Sequence, residues 1–134
     1  MRAVSIRDVS EHHVTVDLAQ LLRLTGAVGL ASSWRCSNVE CVGSAADRLH
    51  SASDDGRMLS GADLLAIATE LDQVVDGDFV ARRQPAEFPW LAIRAIDSSE
   101  YVVITEDDDL LTRIRETFNE VSDSPEDVAF LKPP

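Results

Sequence analysis

A chain of 134 residues has room for one domain, burying roughly two-thirds of the surface its unfolded form would expose. Its 45% hydrophobic and 27% charged content is that of an ordinary globular protein, and 5% aromatic residues leave the core to Leu, Ile, Val and Ala. A net charge of −12, from 24 acids against 12 bases, argues against nucleic acid and anionic membrane as partners, and no apolar run reaches the roughly 20 residues a membrane-spanning helix needs.

The opening MRAVSIRDVSEHH lacks the apolar core of an export signal, and Cys36 and Cys41 alone make no disulfide framework, so a reducing cytoplasm is the expected compartment. Val4 and Ile6 alternate with polar neighbours, which predicts an edge strand or an arm over 1–13. A helix is expected around Asp17–Thr25, with Asp17 as N-cap, Leu18, Leu21 and Leu22 on its apolar side and Gly26 as its stop. The run Gly26–Leu30 reads as a connection packed close to the body. A strand lies within 33–42, where Trp34 and Cys36 share a face and an irregularity at Ser37–Asn38 resets the alternation. Ser44–Ser53 predicts a short helix that turns Ala46 and Leu49 inward.

The best-defined stretch is 60–121. Ser60 caps a helix over 60–75, whose Leu64, Ile67, Ala68, Leu71, Val74 and Val75 recur at spacings of three and four. Asp76–Gly77 ends it. Strands then follow over Asp78–Arg83, Trp90–Asp97 and Tyr101–Thr105, with a loop holding Pro85 and Pro89 and a turn at Asp97–Glu100. Thr105–Asp108 caps a last helix over 107–121, with Leu110, Leu111, Ile114, Phe118 and Val121 on its inner side. The fold class is α+β: a single two-layer domain over 1–134. Its antiparallel sheet combines a three-strand meander over 78–105 with the strand in 33–42, packed by helices 60–75 and 107–121. Residues 122–134 form a polar C-terminal tail in which Val128, Phe130 and Leu131 can dock.

No catalytic signature emerges. His12, His13, His50, Cys36 and Cys41 are metal-ligand types, but residues five apart in a strand point to opposite faces unless a bulge intervenes, and no second ligand pair follows. The acids of 106–109 and the Asp76/Asp78 pair lack a calcium-loop pattern and are explained by capping and turn formation. Neither a Gly-x-Ser-x-Gly elbow nor a glycine-rich phosphate loop is present, so no cofactor is implied.

Recognition is the better-supported role. Between Asp97 and Asp127, 11 acids face only Arg113 and Arg115. Such a segment attracts a basic surface. The loop 85–90 is stiffened by two prolines, so an exposed Phe88 or Trp90 loses little entropy on binding; the alternative is that both fold over the core. The expected partner-binding residues are therefore Phe88, Trp90, Glu106, Asp107, Asp108 and Asp109. The expected function is a small acidic module that binds a basic protein, as an immunity protein, antitoxin or enzyme inhibitor does. The alternatives are an oligomer subunit or scaffold using a strand edge or the 85–90 loop, and a metal-assisted hydrolase built from the acids.

Overall fold

The computed structural model describes residues 1–10, 13–83 and 88–124. Seven strands make one antiparallel sheet in the order β5-β4-β6-β7-β8-β1-β9: β1 Arg2–Ile6, β4 Ser33–Gly43, β5 Met58–Ser60, β6 Leu71–Arg82, β7 Pro89–Ile96, β8 Glu100–Thr105 and β9 Val121–Asp123. A separate ribbon pairs β2 Val9–Ser10 with β3 His13–Val14. Among the described residues five helices complete a mixed α+β fold: α1 Leu18–Leu24, α2 Gly26–Ala31, α3 Ala46–Asp55, α4 Gly61–Ala68 and α5 Asp108–Thr117.

Strand alternation sorts the apolar residues into two sets, because successive side chains on a strand point to opposite faces. Val4, Ile6, Trp34, Cys36, Phe79, Ala81, Leu91, Ile93, Tyr101 and Val103 join the inner residues of α1, α3, α4 and α5 in one large buried cluster. Ala3, Ala92, Val102 and Ile104 form a smaller buried cluster from the alternate positions. The turn joining β7 to β8 places Asp97 and Ser98 at φ of 50° and 58°, the left-handed values that a type I′ turn needs at both central positions. Asp97 N–H donates to the Asp76 carboxylate, and Ser98 N–H donates to the Val75 carbonyl, which ties this turn to β6.

Local rules explain the helix starts. Asp17 and Gln20 form a reciprocal capping box on α1, Ser60 Oγ accepts from Asp63 N–H on α4, and Asp107 accepts from the N–H groups of Asp109 and Leu110 on α5. In β4, Asn38 adopts φ of 55° and the register shifts between Ser37 and Glu40. That irregularity turns Cys41 to the same buried cluster as Trp34 and Cys36.

Five expectations are corrected. The helix expected over 60–75 is α4, which stops at Ala68; Leu71 to Gly77 belong to β6, paired with β4 and bulged against it. A bulged strand carries apolar residues at irregular spacing, so Leu71 and Val74 fell by chance on a helical repeat. The helix over 107–121 is α5, which ends at Thr117 with Phe118 in an extended conformation; Val121–Asp123 then forms β9. Residues 122 and 123 of the expected tail are therefore in the sheet, whereas Val128, Phe130 and Leu131 lie outside the described residues. The edge strand or arm expected over 1–13 is instead an interior strand: β1 pairs with β8 on one side and β9 on the other. The run Gly26–Leu30, read as a connection, is α2.

Candidate functional site

One end of the sheet brings together the two stretches singled out for recognition. β7 begins with Pro89 and Trp90 where antiparallel β8 ends, so Leu91 stands opposite Thr105. Thr105 is fully buried, and its hydroxyl donates to the Trp90 carbonyl at 2.8 Å while accepting from Asp107 N–H at 3.1 Å. One side chain thereby couples the start of β7 to the cap of α5. Phe88, next before Pro89, and Glu106–Asp109, next after Thr105, emerge at this same end.

The six expected residues divide into those presented and those consumed by the fold. Phe88 is 55% exposed, beside buried Pro89. Trp90 is only 8% exposed; its Nε1–H donates to Ser32 Oγ at 3.0 Å, and the Arg83 guanidinium lies 4.4 Å from its ring centre. Trp90 is thus part of the buried core, two residues along the chain from exposed Phe88. Asp107 is used in capping α5, and Asp108 pairs with Arg2. Glu106 and Asp109 are exposed, and among the described residues neither carboxylate holds an ion pair. Residues 85–87 of the same loop lie outside the described residues.

Sequence reasoning missed two contributors. Thr105 was expected at a strand end and in the cap of the last helix, but nothing local marks a threonine as a bridge between distant segments. α2 (Gly26–Ala31) carries exposed Val28 and Leu30, and the signal was available in its uninterrupted uncharged run GAVGLA.

The remaining constellations resolve into structure. Trp34 is fully buried and donates from Nε1 to the Gly29 carbonyl at 2.9 Å. Burial pushes the Cys36 thiol up to about 12 and also raises Cys41, so both hold their protons at neutral pH. Cys41 Sγ lies 3.6 Å from His50 Nε2; His12 is outside the described residues. Among the described residues no group of three or more His, Cys, Asp or Glu is placed to hold a metal ion.

A cavity of about 350 Å³ is lined by Asp8, Val9, Thr15, Asn119 and Glu120. The Asp8 carboxylate is already committed: it accepts from Asn119 N–H at 2.9 Å and Glu120 N–H at 2.6 Å, which fastens the segment after α5 to the residues that follow β1. No helix among the described residues is long and apolar enough to cross a membrane.

Comparison with protein-family models, with curated proteins and with solved structures returns no match for this chain.

Proposed function

We propose that this protein is a binding module whose surface at the Phe88–Thr105 end of the sheet engages a basic partner protein. The observation that carries the reading is the Thr105 bridge, which ties the start of β7, next to exposed Phe88, to the cap of α5, next to Glu106 and Asp109, whose carboxylates hold no ion pair among the described residues. An aromatic anchor on an immobile backbone loses little entropy on docking, and neighbouring negative charge steers a cationic surface toward it. An immunity protein, antitoxin or inhibitor of a cationic enzyme works by this chemistry. The oligomer reading has less support, because the sheet ends in strands of three residues, β5 and β9, and short edges discourage edge-to-edge pairing.

The test is affinity capture from a lysate of the source organism at low and moderate salt. Wild type runs beside Phe88→Ala and a Glu106→Lys/Asp109→Lys variant. These positions are exposed, whereas changing Trp90, Asp107 or Asp108 would remove buried packing, a helix cap or an ion pair. The expected result is a stoichiometric basic partner that wild type retains. Phe88→Ala should weaken it by about 2 kcal/mol, roughly 30-fold, and charge reversal should abolish its salt-sensitive association. A partner held equally by both variants, or no basic partner at either salt, overturns the reading.

A further inference from the structure

We propose that the sheet face turned away from the large buried cluster is a docking surface for the chain's own C-terminal segment, with Val128, Phe130 and Leu131 laid across β8 and β7. The inference goes beyond the binding-module reading and does not depend on it.

The strand register lines up one apolar row across four strands. Val80 of β6 stands opposite Ala92 of β7, Ala92 opposite Ile104 of β8, and Ile104 opposite Ala3 of β1. Val102 joins them from the same face of β8. The buried apolar residues of α1, α3, α4 and α5 all belong to the large cluster on the alternate positions. Among the described residues only strand side chains form the small cluster or pack against it, Val80 and Ile96 being the partly buried ones.

This face is nevertheless closed. Ala92 and Ile104 are 0% exposed and Val102 is 1% exposed. Side chains on neighbouring strands stand beside Ile104 rather than over it, because they project roughly perpendicular to the sheet. Complete burial of an isoleucine there needs a layer above it. That burial is reached within a single chain, so the layer comes from neither a second copy nor a foreign partner. Residues 11–12, 84–87 and 125–134 lie outside the described residues. The first two segments read Glu-His and Gln-Pro-Ala-Glu; only the third has large apolar side chains, Val128, Phe130 and Leu131.

The end of β9 sends the chain to the right place. Ser124 N–H donates to the carbonyl of Ala3, the last residue of the apolar row, at 2.9 Å. From β9 across β1, β8 and β7 to β6 is four inter-strand steps, about 19 Å at about 4.8 Å each. Val128 to Leu131 lie four to seven residues beyond Ser124, a reach of about 13–23 Å in extended chain. Phe130 therefore arrives over the middle of the face. An open apolar strip on the sheet would invite association with other chains, and the strap removes it.

The experiment is methyl and aromatic NMR on the full chain, with Phe130→Ser/Leu131→Ser beside wild type and Val42→Ser as an exposed control. The expected result in wild type is nuclear Overhauser contacts between the Phe130 ring and the methyls of Val80, Val102 or Ile104. In Phe130→Ser/Leu131→Ser those methyl resonances should shift, the urea midpoint should fall and binding of the dye ANS should rise. Val42→Ser should leave the Val102 and Ile104 methyls where they are. A Phe130 ring without contacts to these methyls overturns the inference from wild type alone, whether or not the double variant folds. So do methyl positions unmoved by the double variant, or contacts that in a mixture of labelled and unlabelled protein prove to join two different chains.

Discussion

Thr105 shows how much one small polar side chain decides. Its hydroxyl serves the Trp90 carbonyl and the Asp107 N–H at once, in a position with no access to water. Thr105→Val keeps the shape and strand propensity but leaves both partners without that hydroxyl. A buried polar group stripped of its hydrogen bond costs about 1–3 kcal/mol, and urea unfolding of Thr105→Val should show a loss in that range. An unchanged midpoint would mean that water or a shifted backbone replaces the bridge. At this scale the acids after Thr105 were legible as a helix start, whereas exposure or burial of Phe88 and Trp90 was left open, and the structure exposes the first and buries the second. Which of the acids were free was not legible, because pairing of Asp108 with Arg2 joins residues 106 positions apart.

Among the elements, the fate of 60–75 is the clearest case of tertiary context overriding local pattern. Leu64, Ile67 and Ala68 do line a helix, and Ser60 does cap it, because capping and short-range spacing are local properties. From Leu71 onward the backbone instead pairs with β4, Val74 standing opposite Cys41 and Gln73 opposite Val42. β-branched Val74 and Val75 suit that state. Strands β7 and β8 fall within a residue of their expected bounds, because clean alternation and a turn sequence leave little choice. The close contact of α2 with α4 supplies a test at the same scale. Gly61→Ala gains up to about 1 kcal/mol in helix propensity. The added Cβ, however, meets the backbone of Gly29 and Leu30, which cannot swing aside as a side chain can. Overpacking of this kind costs about 1–3 kcal/mol, so thermal denaturation should show Gly61→Ala destabilised despite the better helix former. A raised midpoint would show that α2 can move away.

For the whole molecule, burial of proton-bearing groups makes stability depend on alkaline pH. Cys36 rises from 9.0 to about 12, and Tyr101 is held above its ordinary 10.0, burial being the main cause for both. In the unfolded chain these groups lose their protons at their ordinary values, while the folded protein retains them. The unfolded state therefore binds fewer protons above about pH 9, and stability falls as pH rises, by up to about 1.4 kcal/mol per pH unit per group. Urea midpoints measured between about pH 8 and pH 10.5 should fall, and Cys36→Ala should fall less steeply because one such group is gone. Parallel slopes would place the alkaline loss elsewhere. Glu100 acts at the opposite limit: the Ser5 hydroxyl hydrogen bond chiefly holds its carboxyl below the usual range, so its contribution is lost as pH falls through that range.

Composition, caps, turns and alternation by themselves determined that this chain is acidic, that it mixes helices with an antiparallel sheet, and where α1, β7, β8 and the start of α5 lie. Each of those properties depends on residues close together in sequence. Tertiary structure decided the rest. It placed β1 inside the sheet, turned 71–77 into strand, buried Trp90 while leaving Phe88 out, and packed α2 against the start of α4. Those outcomes depend on hydrogen bonds and close packing between segments far apart in the chain, which local propensity does not encode.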